Sequence, residues 1–290
     1  MRCTLLGTGT SHGIPVIGCD CECCRSSDPH DKRSRCAMWV TDGESSDNPK
    51  TSILIDVGPD FRNQALRFGI KKLDAVLLTH GHADHLNGID DIRIFSHTSS
   101  CEPPDENGNQ RVHPETEGEG LPVYANINTL NDLHNRFSYV FMPSKEGGGK
   151  PKVHTIDCSD YSVEKPLLID DISIIPIPML HGSLETTGWL LGQNDKYVAY
   201  LTDCNKIPDS SMEILKTFSG KIEHLIIDGL RNRPHSTHFS YAEAGATASM
   251  ISAGHSWFTH ICHDMTHKKI ERSFASQNIA PAYDGLVLEI

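Results

Sequence analysis

The 290-residue chain has no apolar run longer than a strand. The longest, such as Ser52 to Val57 and Ala75 to Leu78, fall far short of the roughly 18 residues that cross a bilayer, which excludes a membrane-spanning helix. Strand-like sequence begins almost at once, at Cys3 to Leu6, leaving no room for the charged, apolar and cleavage regions of a secretory leader. We therefore expect a cytoplasmic protein. Positive charge is also scarce: 26 Lys and Arg stand against 38 Asp and Glu, a formal net charge of −12. A surface of that sign disfavours long nucleic acid as a partner, because phosphate affinity is built from Lys and Arg. It has no bearing on a small anion captured in a metal pocket.

Cysteine and histidine, by contrast, are plentiful, at 10 and 17 residues. A disulfide framework is not expected in a cytoplasmic chain. Four of the thiols crowd into Cys19-Asp-Cys21-Glu-Cys23-Cys24, too close together for scattered core residues. Several histidines cluster near acidic residues. The composition leans towards metal.

Strand and helix signals alternate and no internal repeat is present, which predicts an α/β protein. Thr51 to Val57 and Leu73 to Thr79 read as buried strands, with a helix from Asp60 through Phe68 that Gly69 stops. Ile172 to Ile177, Gly188 to Leu191, Tyr197 to Leu201 and His224 to Asp228 read as further strands, and Leu286 to Ile290 closes the chain. Ser240-Tyr-Ala-Glu243 is a capping box, opening an Ala-rich helix to about Ala253, with Gly254 beyond it. Two stretches read as flexible insertions, 101–120 and 144–150. Neither has the apolar content of a separate domain, so residues 1–290 are expected to form one domain.

The central signal is Thr79-His80-Gly-His82-Ala-Asp84-His85-Leu86, directly after a buried strand. Side chains there project from the strand's end, where α/β proteins place ligands. Imidazole and carboxylate are costly to bury unless paired or bound to metal. Two metals need more donors than one turn supplies, because a catalytic ion takes about three protein ligands and keeps a position open. His181, Asp203 and His260 each sit just past a strand-like run and are the candidates to complete the set. Cys19-x-Cys21-x-x-Cys24 needs a fourth ligand to close a tetrahedral structural zinc site. His263, three residues after His260, is the candidate, and Cys23 is an alternative to Cys24 as third thiolate.

This order of residues resembles the metallo-β-lactamase superfamily, over nearly the whole chain, including Asp56 in Ile-Leu-Ile-Asp-Val-Gly and the terminal Tyr283-Asp284-Gly285. The resemblance implies an αββα sandwich, two mixed β-sheets flanked by helices, with two divalent ions (zinc or manganese) between the sheets. It assigns His80, His82 and His181 to one ion, Asp84, His85 and His260 to the other, and Asp203 as the bridge. Asp84 counts as both ligand and catalytic residue, and Asp56 as a carboxylate orienting a ligand. Two ions, two carboxylates and one bridging hydroxide, the implied nucleophile, leave a net positive site suited to an anionic substrate.

Departures narrow the choice. Flavodiiron proteins carry Glu where His82 stands, homoserine-lactone hydrolases carry Tyr where Lys206 stands, and nothing resembles the helical domain of glyoxalase II. Only twenty-two positions separate His181 from Asp203, against the long arm usual in tRNA 3′-processing enzymes. Gly7-Thr-Gly9-x-x-x-Gly13-Ile-Pro followed by Cys-x-Cys-x-x-Cys resembles the PhnP group of phosphodiesterases, as do Cys36, Thr259-His-Ile-Cys-His263 and His238 before a helix. The resemblance implies a small cyclic or nucleotide-like phosphodiester substrate, His238 as general acid, one structural zinc and a homodimer. The backbone of Gly7 to Gly13 is expected to line the pocket near a phosphate. Arg231 and Arg233 read as holders of a second phosphate or as a solvated pair. The alternatives are a PqqB-like cofactor-biosynthesis protein, which shares the cysteine element, and a tRNA 3′-processing-type endonuclease.

Overall fold

A computed structural model describes residues 1–42, 49–97, 120–142 and 150–290. Its strands form two mixed sheets of seven strands. The first runs β14 (Val287–Glu289), β1 (Arg2–Gly7), β2 (Ala37–Asp42), β3 (Thr51–Ile55), β4 (Ala75–Leu77), β5 (Leu121–Ala125) and β6 (Val153–Asp157). The second runs β13 (Ile279–Pro281), β12 (His255–Thr259), β11 (Ile222–Asp228), β10 (Lys196–Leu201), β9 (Leu184–Gln193), β8 (Ile172–His181) and β7 (Leu167–Ile169). Each is antiparallel at one side and parallel at the other: β14 to β3 pair antiparallel and β3 to β6 parallel, as do β7 to β10 and then β10 to β13.

The strands read as continuous apolar runs because both faces are covered, so alternate side chains all meet apolar neighbours. Ile53 and Ile55 enter the core between the sheets, where they join Trp189, Leu191 and Tyr200 from the second sheet. Leu54, one step on, faces outward to a layer that includes Phe61 and Leu130. On the far side, Leu190 and Leu225 pack with Tyr241 and Ile270. Helices thus flank both sheets, the expected αββα arrangement.

The helix Phe61–Phe68 follows Asp60 and ends at Gly69, whose φ of 70° suits glycine. The helix Tyr241–Ile251 carries the full capping box of Ser240 and Glu243. It stops short of the expected Ala253, because Ser252 takes the left-handed conformation at φ 62° and its N–H donates to Ala248 O. Three further helices, Ile127–Arg136, Asp209–Thr217 and His267–Phe274, were not anticipated. The stretches expected as insertions, 101–120 and 144–150, lie outside the described residues apart from Gly120 and Lys150. Among the described residues no helix is long and apolar enough to cross a membrane.

Between β1 and β2 the chain folds back on itself, held by bridges from Gly9 to Arg35 and Ile261, and from Ile14 to Arg33. Arg33 is buried here, donating to Thr8 Oγ1 at 2.7 Å, Ala282 O at 2.5 Å and His267 Nδ1 at 3.1 Å. Accepting from a guanidinium requires His267 Nδ1 to be unprotonated. Burial, then the neighbouring charges of Arg33 and His30, push the His267 pKa down to about 4. The unfolded chain takes up this proton as pH falls through about 6.5 while the fold resists it until about 4, so the stabilisation is complete above 6.5 and drains away below. Thermal melting across pH 7.5 to 4 should show an acid limb that flattens in His267→Gln. An unchanged limb in the variant would assign it to other groups.

Candidate metal centre

The strands end in turns that aim polar side chains into one cleft between the sheets. Asp56 follows β3, Asp203 follows β10 and His260 follows β12, and all three hold left-handed backbone, at φ 62°, 57° and 55°. Such a conformation costs a non-glycine residue about 1–2 kcal/mol, and here it bends the chain abruptly at each strand's end. The 83–88 turn packs directly on the segment after β3: Val57 N donates to His85 O and Gly88 N to Val57 O. Only glycine fits at 58, since a Cβ there would lie 1.9 Å from Asp84 O.

Donor atoms of His80, His82 and His181 converge within 4.8 Å of one another, and so do those of Asp84, His85, Asp203 and His260. Asp203 lies between the groups, with Oδ1 3.9 Å from His80 Nε2 and 3.3 Å from His260 Nε2, and Oδ2 3.1 Å from His85 Nε2. The structure thus gathers all seven expected donors in the expected two groups. All are buried except His82, which sits at the rim.

Second contacts define the tautomers. His85 Nδ1 donates to Asp56 Oδ2 at 2.7 Å, and His181 Nδ1 donates to Thr237 O at 2.7 Å. Each ring in its neutral form therefore turns a lone pair on Nε2 towards the cleft. Asp56 is locked in turn by Thr79, whose N–H donates to Oδ1 at 2.8 Å and whose hydroxyl contacts both oxygens. The Nε2 atoms of His80, His85 and His260 are buried and make no hydrogen bond. A neutral Nε2 at 3.1 Å from a carboxylate oxygen is repulsive unless a proton or a metal cation lies between them, and several such atoms converging on two carboxylates fit divalent ions.

The electrostatics agree. Burial pulls His80 well below the ordinary imidazole range, and His82 and His181 also down, keeping these rings neutral as ligands must be. Burial opposes ionisation of Asp203 and Asp84, but surrounding imidazoles outweigh it and hold both carboxyls far below their usual range. Those carboxylates overcome burial to push His85 well up and His260 to about 9. The cleft demands positive charge, which protons or divalent cations supply.

The cysteine cluster closes as predicted. His263 Nδ1 lies 3.3 Å from Cys19 Sγ, 3.5 Å from Cys21 Sγ and 3.5 Å from Cys24 Sγ. Zinc bonds of about 2.3 Å to sulfur and 2.0 Å to nitrogen at tetrahedral angles give edges of roughly 3.5 Å, so the cage fits zinc. Cys23 is settled as a bystander. It is buried against Asp31, 3.9 Å away, and burial pushes its thiol up to about 12. For Cys21, burial opposes ionisation, yet the Cys24 amide and neighbouring donors pull the thiol down to about 6.

His238 lies beside the cluster, its ring 4.4 Å from that of His181 and stacked 4.6 Å from that of His260. Its Nδ1 donates to Asp228 Oδ2 at 2.6 Å. Asp228, fully buried at the end of β11, also accepts from Cys204 N at 3.0 Å. Asp228 carries a signal in the sequence as well: Leu225-Ile-Ile-Asp228 ends an apolar run in Asp, as Ile53-Leu-Ile-Asp56 does.

One expectation needs correction. Most of the glycine loop's amides are already taken. Gly9 N donates to Ser34 O, Thr10 N to Ile261 O, Gly13 N to Thr10 O and His12 N to Thr10 Oγ1, so the loop spends them on holding its own shape. Of the two readings of Arg231 and Arg233, their contacts match the surface pair. Arg233 pairs with Asp264 at 3.2 Å, and Arg231 turns back onto the carbonyls of Arg233 and Pro234.

A profile of the beta-lactamase superfamily domain matches residues 51–261, and with this fold the chain belongs to that superfamily. More particularly, it is similar to a solved diphosphatase from the PhnP family, at 38% identity and a TM-score of 0.80, covering all of this chain and 97% of that one. A protein of Porphyromonas gingivalis named octanoyltransferase is 36% identical over 287 residues, 99% of this chain but 51% of its own length. This chain thus spans about half of that curated relative. The zinc-bound PqqB structure from Methylobacterium extorquens, covered completely by this chain and covering it completely, shares the fold at a TM-score of 0.72 and 18% identity.

Removing the carboxylate that orients His85 should loosen divalent-ion binding. Asp56→Ala is expected to weaken affinity in the cleft on the order of ten- to a hundredfold while metal uptake at the cysteine cluster is unchanged. Elemental analysis after graded dialysis checks this, and equal losses from both sites would point to general unfolding instead.

Proposed function

We propose that this chain is a metal-dependent phosphodiesterase acting on a small cyclic or nucleotide-like phosphodiester. The observation that carries the reading is the Asp228–His238 pair, set against a cluster of seven metal-binding donors. His80, His82 and His181 would hold one divalent ion and Asp84, His85 and His260 the other, with Asp203 shared. When bound, such ions bring the pKa of water to about 7 and draw charge from a phosphoryl oxygen.

The chain's own side chains do the rest. Asp84 Oδ2 faces His85 and His260, at 3.3 and 3.6 Å, which leaves Oδ1 to accept a hydrogen bond from the attacking water and orient it. Asp228 fixes the His238 ring through Nδ1, and a ring nitrogen of His238 comes within 4.8 Å of donors on His181 and Asp203. From there, in the doubly protonated ring that Asp228 favours, Nε2 passes its proton to the leaving alkoxide as general acid. The PhnP-family neighbour is itself named for phosphoryl chemistry, hydrolysis of a diphosphate, which supports the same reaction class here.

Other readings find less support. Octanoyl transfer, the activity named for the longer relative, calls for an acyl-accepting nucleophile. The thiols beside the cluster are buried: Cys36 is pushed up to about 12, and Cys204 lies well above the thiol range. For tRNA 3′-end processing, the span from His181 to Asp203 holds only the turn after β8 followed by β9 and β10, with no arm. A PqqB-like oxidation would consume oxygen with a peptide-derived substrate, and strong phosphodiesterase activity would count against it.

Protein loaded with manganese or zinc should hydrolyse bis-p-nitrophenyl phosphate or 2′,3′-cyclic nucleotides, and chelation should abolish turnover. His238→Ala is expected to lower kcat by roughly 10²–10⁴ with metal content unchanged. Absence of turnover on every phosphodiester tried would end this reading, and metal loss in the variant would recast His238 as structural.

A further inference from the structure

A recess of about 330 Å³ opens on the outer side of the glycine loop, and none of the seven clustered donors lines it. Its charged walls are Lys32, Arg33, Arg35 and Arg67, with Asp60 and Asp284. Four cations against two carboxylates is the reverse of the balance in a chain whose net charge is −12. Both carboxylates are already committed. Asp60 receives Arg35 Nη1 at 3.0 and 3.1 Å and the Arg35 amide at 2.9 Å. Asp284 accepts from Thr8 Oγ1 at 2.8 Å and from the amide and hydroxyl of Ser34 at 2.6 and 2.8 Å.

Of these four cations, only Arg35 has a carboxylate among the described residues within 4.0 Å. Lys32 Nζ reaches a carbonyl, Cys24 O, at 3.2 Å, and Arg67 Nη2 reaches Asp284 O at 3.4 Å. Arg33 is the most telling. It is 2% exposed, and its guanidinium contacts a hydroxyl, a carbonyl and an imidazole, none of them anionic. Burying a charge is costly, and here the carboxylates of Asp284 and Asp31 offset it only from a distance, without touching the guanidinium. The recess lies beside that charge, with further uncommitted guanidinium nitrogens on Arg35 and Arg67.

We propose that this recess is a second anion site, separate from the metal centre, that takes a small phosphate-bearing metabolite. Arg groups present planar pairs of donors matched to phosphate oxygens, and Lys adds a point charge. A volume of about 330 Å³ sits at the lower end of small-ligand pockets, room for a phosphate and the sugar-sized group attached to it. The recess also shares a wall with the loop whose Gly9 bridges to Ile261, one residue after His260, so occupancy bears on the segment carrying that donor.

Calorimetric titration with inorganic phosphate and with AMP tests the site on the full chain. Three samples are compared: the unaltered protein, Asp203→Asn, which disables the metal centre, and Lys32→Ala/Arg67→Ala, which removes two cations that pair with no described carboxylate. The expected result is a binding isotherm that persists in Asp203→Asn and weakens by about tenfold or more in the double variant, the loss of one or two charge-assisted contacts. A melting curve verifies that the double variant is folded, and Lys32→Gln/Arg67→Gln serves if it is not. Binding of phosphate alone identifies the free anion as ligand, and tighter binding of AMP identifies a phosphomonoester. Binding that vanishes in Asp203→Asn, or that the double variant leaves unchanged, overturns the proposal. So does a lack of binding by either probe. Because phosphodiesterase turnover is not the readout, failure here leaves the reading of the metal centre standing.

Discussion

Two ionised carboxylates are buried between the sheets with histidine Nε2 atoms turned towards them, and most of the local architecture exists to hold that arrangement. Asp84 and Asp203 stay charged only because histidines surround them, and His80 and His85 show unpartnered Nε2 atoms to the same cleft. Left-handed backbone at Asp56, Asp203 and His260, the glycine at 58 and the lock of Asp56 by Thr79 all serve to place these groups. Each is locally unfavourable or restrictive. Together they are consistent with strain stored at a site and repaid by the surrounding core.

Legibility in the sequence followed distance along the chain. The turn from His80 to His85 stood out because four donors fall within six residues. His181, Asp203 and His260 were legible only as single polar residues past apolar runs, and their grouping needed the family resemblance. The strands β3, β4, β10 and β11 were found to within a few residues, since burial on both faces gives continuous apolar runs. The helix Ile127–Arg136 was missed because its pattern is dominated by polar residues, with only Thr129, Leu130 and Leu133 buried. The fate of the glycine loop's amides was out of reach. Their acceptors at Ser34 and Ile261 are distant in sequence, and only the folded chain brings them near.

The two metal-binding clusters are not independent in space. His260 and His263 lie three residues apart beyond β12, so the cysteine cage anchors the same turn that delivers a donor to the cleft. His238 leans on the His260 ring, and its partner Asp228 sits at the end of β11, the strand beside β12. One side of the second sheet therefore carries a donor, the Asp228–His238 pair and the anchor of the cage.

The division of donors between the layers has a consequence for how the protein acquires its chemistry. His80, His82, Asp84 and His85 come from the first sheet, while His181, Asp203 and His260 come from the second. Neither half owns a complete coordination set, so a nascent or partly folded chain would hold its ions loosely. Tight uptake of divalent ions then acts as a checkpoint for docking of the layers, and reactive chemistry waits until the sandwich has closed.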